Sequence, residues 1–595
     1  MKKALGVGNS SFASLIKNHN YYVDKTAFIK TLMEAGTLVR VITRPRRFGK
    51  TLFMDTLARF LSVNPTHPDD VSRQEALFAG LAIRQDEAFC RRWMGKIPTL
   101  YLSLKDIESD NFNNAFAKIS VLITRTAQSH AYLLDSPRLT PFDKKRLEFC
   151  MNLGLANSLE NRTAAENFLI DLLTCLAKHY GRPAVLLIDE YDVPLAKAAV
   201  GSYYAEMVMF MKGFLSVLKP ESTPMLGDCP ILDKAILTGC LRVSKESIFT
   251  GLNNLSVNTV CSEANEALSS VMGFTEREVI DMLSYYGIAS RKEDVRHWYD
   301  GYRIGGKEIY CPWDVINFCD AAENSTVPES IVPQNYWSGT SSNDVIDEFL
   351  GFLSETDADR MQTLLDGGEI ELKINEQLSY SDFSLHRSED FWTLLLFTGY
   401  LTVAKVIDSN TFALKIPNAE IHDTFECRVH ARFSDQNSSF AQHGKKLAHA
   451  LLAGEVDEIR ELIENLLKSF VSVRDGASRA PAENYYHGFL TALFASAGSL
   501  VENFRSNPEA GDGYADIVFT SNNKGKKVAV IIEIKRAERN GNLFHILNKA
   551  LKQIEEKNYN SICEQLACGQ YYTYAFVFQG KHCLVGGGKI KSYPG

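Results

Sequence analysis

Residues 38–54 read LVRVITRPRRFGKTLFM, the most informative segment for the fold of the N-terminal part of the chain. Its opening run is rich in β-branched residues and predicts a strand, Pro45 predicts a turn, and Gly49 stands where a helix should begin. A strand that turns directly into a helix is typical of an α/β fold. We therefore expect an α/β domain whose first strand and helix meet at this turn.

The turn carries the chemical groups of a phosphate-binding loop. Backbone N–H groups at the start of a helix face phosphate oxygens, a lysine reaches the β and γ phosphates, and a hydroxyl binds Mg²⁺. Gly49, Lys50 and Thr51 supply these groups in that order. The loop departs from the pattern GxxxxGK[ST] at its first position, which is Arg44. Taken alone, the motif is weakened by that departure.

The remaining residues of the loop are further candidates for nucleotide contacts, namely Arg46, Arg47 and Phe48. The three arginines, including Arg44, either extend phosphate binding, contact nucleic acid or form structural pairs. We favour phosphate binding or structural pairing and leave the choice between them open.

Residues 183–195, PAVLLIDEYDVPL, place two acids at the end of an apolar run. The continuous run Val185–Ile188 predicts a strand that is buried on both faces. Asp189 at its end would hold the hydration shell of Mg²⁺, and Glu190 would orient or deprotonate an attacking water. The alternative is a buried strand that ends in a solvated turn.

A third apolar strand is predicted over Ala235–Leu237. Thr238 follows it as a candidate sensor of the γ-phosphate, and Arg242 could reach the phosphate within the same chain or from a neighbouring copy. Together with the Gly-Lys-Thr loop and the two acids, this order of motifs predicts a nucleotide site that binds ATP and Mg²⁺.

Residues 511–535, GDGYADIVFTSNNKGKKVAVIIEIK, predict two strands joined by a polar connection. The strands cover 515–520 and 528–535, and side chains two apart on a strand share a face, so Glu533 and Lys535 point the same way. Asp516 can lie close to Glu533, although the sequence leaves the register of the hairpin open.

Two carboxylates and an ammonium on one face are costly unless a cation neutralises the acids, and Mg²⁺ prefers carboxylate oxygens. We expect Asp516 and Glu533 to bind the metal and Lys535 to polarise a water or a phosphate oxygen. Glu483, at the start of a predicted helix, or Glu509 completes the metal site. The alternative is an exposed strand whose Glu and Lys are merely solvated charges.

Composition places the chain among globular proteins. It has 595 residues, 45% of them hydrophobic, and a net charge of −8, which suggests several domains. We find neither a signal-like segment nor an apolar run near 18 residues, so we expect a soluble, cytoplasmic protein without a membrane segment. The 12 cysteines form no CxxC pair and predict neither a zinc site nor disulfides.

Charge is distributed unevenly. Residues 511–595 carry 12 Lys and Arg against 7 Asp and Glu, whereas the whole chain is acidic. A positive module suits a polyanion such as DNA, although an excess of this size is also common in ordinary domains.

The sequence resembles the prokaryotic AAA-ATPase-like family, in which such an ATPase is followed by a domain of the PD-(D/E)XK nuclease superfamily. The phrases that carry the resemblance are YYVDKTAFIKTLMEAG (21–36), RPRRFGKT (44–51), LLIDEYDVPL (186–195), TGCLRVSKESIFTGLNNL (238–255), WYDGYRIGG (298–306), YCPWDVINF (310–318), YWSGTSSN (336–343), FTGYLT (397–402) and IPNAEI (416–421).

The resemblance implies roles for particular residues. The loop RPRRFGKT is a family form, so Arg44 counts less against nucleotide binding. GDGYADIVF and IIEIKRAE are similar to the Asp strand and the ExK strand of the nuclease domain. Gln553 and a later tyrosine, both on the helix predicted after the ExK strand, are similar to a Gln and Tyr of that superfamily, which implies a catalytic role for Gln553. Tyr514 stands where relatives commonly carry an arginine, which puts nuclease activity in question.

The resemblance and the composition together predict the domain organisation. We expect a P-loop AAA-like ATPase domain, a helical lid, a mixed and helical connecting region, a linker and an α/β nuclease-like domain. These cover residues 1–262, 263–352, 353–473, 474–482 and 483–595.

Three functions fit these expectations. The preferred one is an ATPase that gates a Mg²⁺-dependent DNA nuclease. The alternatives are an ATPase switch whose nuclease-like domain binds nucleic acid or a partner without cutting, and a remodelling motor that uses this domain as a clamp. Self-association into a homo-oligomer stays open.

Overall fold

The computed structural model describes residues 2–219, 224–241, 255–262, 267–337, 355–376, 378, 387–425, 437–470, 483–495, 497–511, 513–523, 526–537, 541–580 and 582–593. The chain forms two compact units, one of Met1–Val345 with Glu371–His422 and one of Ile346–Ile370 with Asp423–Gly595. It therefore passes between the units at three points, after Val345, after Ile370 and after His422.

A five-stranded sheet lies at the centre of the first unit. Its strands are β1 (Val39–Thr43), β2 (Thr99–Ser103), β3 (Ala184–Asp189), β6 (Leu232–Gly239) and β7 (Leu255–Asn258). All neighbours pair in parallel, in the order β2-β3-β6-β1-β7. Because parallel strands end at the same edge, the carboxyl ends of β1, β3 and β6 lie side by side.

Burial of these strands follows from their sequence. All five residues of β1 and all six of β3 are buried, as expected for strands of a parallel sheet that is covered on both faces. The predicted strands Val185–Ile188 and Ala235–Leu237 lie within β3 and β6. The predicted α/β class is confirmed for this unit.

Helices and three small sheets surround the central sheet. The small sheets are formed by β4 (Met225–Leu226) with β5 (Cys229–Pro230), β8 (Tyr302–Ile304) with β9 (Lys307–Ile309), and β10 (Ile370–Lys373) with β11 (Thr402–Val406) and β12 (Thr411–Lys415). The α-helices are Phe12–Lys17, Ala27–Glu34, Lys50–Leu61, Ser72–Phe78, Glu87–Trp93, Phe112–Ser129, Pro141–Met151, Leu159–Tyr180, Val193–Val200, Tyr204–Phe214, Glu276–Tyr285, Lys292–Tyr299, Pro312–Glu323 and Ser388–Thr398.

The second unit contains a mixed sheet. Its strands are β13 (Glu502–Ser506), β16 (Ile517–Asn523), β17 (Lys526–Arg536), β18 (Gln570–Gln579) and β19 (His582–Ser592), and β14 (Glu509–Ala510) pairs separately with β15 (Gly513–Tyr514). The order is β13-β16-β17-β18-β19, with β17 and β18 parallel and the other neighbours antiparallel.

Alternate residues of β17 face two different cores. Val528, Val530, Ile532 and Ile534 join a core with helices on one face, whereas Ala529 and Ile531 join a core on the other. Both faces are therefore covered. The helices of this unit are Glu355–Leu365, Asn437–Ala453, Val456–Phe470, Glu483–Ala495, Leu543–Glu556 and Ile562–Gln565.

The hairpin differs from its prediction in length. Its strands run over Ile517–Asn523 and Lys526–Arg536, because the polar residues that predicted the connection still pair across the ladder. Strand β19 was not predicted, because its run of three glycines has low strand propensity. The predicted linker at 474–482 lies outside the described residues. Within the described part of the chain, every helix is too short or too polar to cross a bilayer.

Candidate functional sites

The loop between β1 and the helix Lys50–Leu61 has the backbone of an anion-binding nest. Arg47 and Gly49 both have left-handed backbones, with φ of 68° and 84°. Left-handed residues within a turn direct successive N–H groups into one concavity, where they attract an anion. Glycine adopts this conformation at no steric cost, which accounts for Gly49.

Three predicted residues meet at the carboxyl edge of the parallel sheet. The hydroxyl of Thr51 donates to Asp189 Oδ2 at 2.6 Å, and the hydroxyl of Thr238 donates to Asp189 Oδ1 at 2.7 Å. Burial and the nearby Glu190 raise the pKa of Asp189, while these two hydroxyl groups partly offset the rise. A hydroxyl and a carboxylate that converge in this way fit a Mg²⁺ ion.

Lys50 is buried beneath the loop, with 4% of its surface exposed. Its Nζ donates to the carbonyl oxygens of Arg44 and Pro45 at 3.2 and 3.1 Å and lies 3.4 Å from Glu190 Oε1. Burial opposes its charge, but Cys240 and the neighbouring carboxyl groups outweigh burial and raise the pKa of Lys50. The ammonium is therefore fixed next to the nest and stays charged.

Arg44 takes the structural role that the sequence left open. Its guanidinium is fully buried and donates to Asn258 Oδ1 at 2.6 Å and to the carbonyl oxygen of Leu268 at 2.8 Å. Burial lowers the pKa of Arg44 to about 9. This arginine therefore braces the loop from behind and is not placed to contact a phosphate.

The other loop candidates have different surroundings. The Phe48 side chain is buried against Tyr302, so only its backbone remains available to a phosphate. Arg47 lies over the ring of Trp313 with its guanidinium carbon 4.3 Å from the ring centre, and Arg46 is partly buried. Arg242 lies outside the described residues.

Sequence reasoning missed Asp192, three residues after Asp189. Its Oδ2 accepts from the backbone N–H groups of Cys240 and Leu241, each at 2.9 Å, and so ties the loop after β3 to the end of β6. Burial and the Glu190 carboxylate raise the pKa of Asp192 to about 6. An acid after a strand is common in any turn, so no sequence signal identifies this role.

In the second unit the hairpin register brings Asp516 to Glu533. The last pair of the ladder is Ile517 with Ile532, and one further step along both strands sets Asp516 opposite Glu533. Asp516 Oδ2 also accepts from the backbone N–H of Ile534 at 2.6 Å. The aspartate is thereby fixed at the end of the strand that carries the glutamate.

Glu533 is buried and held from two sides. Its Oε1 accepts from Lys535 Nζ at 2.8 Å and from Gln553 Nε2 at 2.6 Å. Gln553 also donates to the hydroxyl of Tyr559 at 3.0 Å. The predicted acid, lysine and glutamine therefore form one hydrogen-bonded group, with Tyr559 behind it.

The metal ligands beyond this carboxylate pair are less defined. The side chains of Glu483 and Glu509 lie outside the described residues. No group of three His, Cys, Asp or Glu side chains in the described stretches is arranged to hold a metal. The pair Asp516 and Glu533 fits a Mg²⁺ ion as two oxygen ligands. His487, which the sequence did not indicate, places Nε2 2.8 Å from the carbonyl oxygen of Asp516.

The fold and the sites are those of a two-domain protein, with a P-loop ATPase-like domain on a parallel sheet and a nuclease-like domain on a mixed sheet. Residues 6–249 match the family model described as a predicted AAA-ATPase, and residues 481–587 match the PD-(D/E)XK nuclease superfamily. The resemblance found in the sequence is confirmed, and the chain carries both domains.

One relative is similar along almost all of the chain. It is the "Uncharacterized protein in vnfD 5'region" of Azotobacter chroococcum mcd 1, which is 24% identical over 567 residues. The match covers 94% of this chain and 93% of the relative. The relative therefore spans both domains and the segment between them.

Proposed function

We propose that the protein binds and hydrolyses ATP and that its nucleotide state controls Mg²⁺-dependent DNA cleavage by its C-terminal domain. The observation that supports this most directly is that one chain carries two clusters of side chains suited to phosphate chemistry. Each combines an acid, a lysine and a polar partner within hydrogen-bonding distance.

At the first site the backbone of the loop, together with Lys50 and Arg46, binds the phosphates. Thr51 and Asp189 would hold Mg²⁺, which would supply positive charge next to the phosphates. Glu190 orients and deprotonates the attacking water. Thr238 senses the γ-phosphate, and its hydroxyl is hydrogen-bonded to Asp189. Arg242 would supply a further positive charge.

At the second site Asp516 and Glu533 would hold Mg²⁺, with Glu483 as a further candidate ligand, and the ion would supply positive charge for a phosphate. Lys535 polarises a water or a phosphate oxygen. Gln553 keeps the Glu533 carboxylate in one orientation through the bond to its Oε1, which is the kind of support that metal-ligating carboxylates usually have.

The test is cleavage of linear double-stranded and single-stranded DNA by the full chain in Mg²⁺, with ATP, with a non-hydrolysable ATP analogue and without nucleotide. Wild type should cleave in one nucleotide state, Glu533→Gln should not cleave in any, and Lys50→Ala should lose the dependence on ATP. Intact ATP hydrolysis without cleavage under every condition would contradict the proposal.

A second candidate function is a switch whose C-terminal domain binds DNA or a partner without cutting. Tyr514 favours it, because this side chain is 65% exposed at the position where relatives commonly carry an arginine. On this alternative, Asp516→Ala leaves DNA binding and the cellular effect unchanged, and Lys50→Ala abolishes the effect. Cytoplasmic location and self-association stay predictions on both readings.

A further inference from the structure

Four residues of the phosphate-binding loop contact parts of the chain that follow residue 249, where the match to the ATPase model ends. All the partners belong to the first unit. The contacts are Arg44 with Asn258 and Leu268, Pro45 with Gly399, Arg47 with Trp313, and Phe48 with Gly273 and Tyr302. We name this set of later residues the loop brace.

The contact at Gly399 shows how closely the brace approaches the loop. Gly399 has a φ of 96° at the end of the helix Ser388–Thr398, and a Cβ there would lie 2.8 Å from Cβ of Pro45. Likewise, the N–H of Gly273 donates to the carbonyl oxygen of Phe48 at 3.0 Å. The loop is therefore fixed on its outer side by backbone from two later segments.

Arg47 is the residue that most needs such support. Its left-handed backbone, with φ of 68°, forms part of the nest, yet this conformation is unfavourable for a residue with a Cβ. The guanidinium over the Trp313 ring makes a cation–π contact, which fixes the side chain and with it the backbone. A side chain of the loop brace therefore contacts one of the two left-handed residues that form the nest.

Trp313 is itself held in place. Its indole N–H donates to the carbonyl oxygen of Tyr336 at 3.1 Å. The N–H groups of Tyr336 and Trp337 donate to Glu420 Oε1 at 2.6 and 2.9 Å, so the segment that holds the indole is anchored in turn. Asp314, next to Trp313, is buried close to Glu420.

We propose that Trp313 is a positioning residue of the nucleotide site, and that its indole face holds Arg47 in the left-handed conformation that the phosphate-binding loop requires. The segment between the two matched domains therefore completes the ATP site. This inference rests on the proposed ATP binding. It predicts that ATP affinity depends on the aromatic face of residue 313 only while residue 47 carries a side chain.

The experiment compares Trp313→Phe with Trp313→Leu in the full chain, with Mg²⁺-ATP binding measured by calorimetry and folding by circular dichroism. The Trp313→Phe variant retains an aromatic face, and its ATP affinity should be within about threefold of wild type. The Trp313→Leu variant should bind ATP about tenfold more weakly. The same pair is then built on Arg47→Gly, which adopts a left-handed backbone without support. On the Arg47→Gly background, the Trp313→Phe and Trp313→Leu variants should have the same affinity for ATP.

Controls separate the possible failures. Trp298→Leu alters a partly buried tryptophan in the neighbouring aromatic core and should leave ATP affinity unchanged. Equal affinity of Phe and Leu variants on the wild-type loop, or an equal difference on Arg47→Gly, would overturn the inference. If wild type fails to bind ATP, or Lys50→Ala binds it as well as wild type does, the proposed function fails instead. Should Trp313→Leu not fold, Trp313→Met takes its place in both backgrounds.

Discussion

The two candidate sites differ in how far along the chain their residues lie. Thr51 and Asp189 are 138 residues apart and Asp189 and Thr238 are 49 apart, so the nucleotide site needs three strands of the parallel sheet in register. In the nuclease-like site, Asp516 contacts Ile534 over 18 residues, and Glu533 contacts Gln553 over 20. One hairpin and the next helix are enough to form it.

The two sites should therefore be sensitive to mutations in different parts of the chain. The nucleotide site depends on long-range packing, including the loop brace, so a change far from the phosphates can disturb it. The nuclease-like site depends mainly on local geometry, so changes within the hairpin and its helix should have the largest effect on it. Distant mutations should therefore disturb the nucleotide site more than the nuclease-like site.

Glu190→Gln should have the largest effect. It removes the carboxylate that orients the attacking water, so ATP hydrolysis should fall by about 100-fold or more while ATP binding persists. The measurements are phosphate release and calorimetric binding. If Glu190→Gln with ATP cleaves DNA at the rate that wild type shows with a non-hydrolysable ATP analogue, the two sites are coupled. Cleavage that ignores this mutation would make them independent.

Gln553→Ala should have an intermediate, local effect. Loss of its hydrogen bond frees the Glu533 carboxylate to rotate, and DNA cleavage should fall about 10- to 100-fold with no change in ATP affinity. Lys552→Ala is the matched control, because Lys552 is the neighbour on the same helix and its side chain is 72% exposed. An equal loss of cleavage in both variants would show that the helix, and not Gln553, is responsible.

Glu420→Gln should have the smallest effect, which is a change in how the stability of the protein depends on pH. Burial and the adjacent Asp314 raise the pKa of Glu420 above its value in the unfolded chain. Its contribution to stability is therefore complete below the unfolded pKa and declines as pH rises towards the folded value. Glutamine keeps the acceptor but does not titrate.

Thermal unfolding at pH 6 and pH 9 measures this effect. Wild type should lose more stability than Glu420→Gln over that interval, by about 1 °C in Tm for each kcal/mol of difference in a unit of this size. Parallel losses in the two proteins would show that Glu420 does not titrate in this window. ATP affinity at pH 6 should be similar in both, because the brace is intact.

The sequence predicted the residues whose chemistry and position are both local. Gly49, Lys50 and Thr51 begin a helix, Asp189 and Thr238 end apolar strands, and the ExK motif marks its own strand. The register that sets Asp516 against Glu533 followed only from the ladder, because polar residues in the connection concealed the length of both strands.

Other features had no signature that periodicity or spacing could reveal. Arg44 departs from the phosphate-loop motif, and its structural role depends on a hydrogen bond to Asn258, which lies 214 residues away in the sequence. The contact of Arg47 with Trp313 and the backbone bonds of Asp192 likewise join distant segments. Tertiary packing decides such contacts, and a single sequence does not encode them in any regular pattern.

The three points at which the chain passes between its units have a practical consequence for dissecting the protein. No single protease cut can release either unit whole, and a fragment that starts after His422 lacks the helix Glu355–Leu365, which belongs to the second unit. Recombination could not exchange the nuclease-like unit as a cassette at one junction. Chimaeras with a relative would need matched breakpoints at all three positions to keep both units complete.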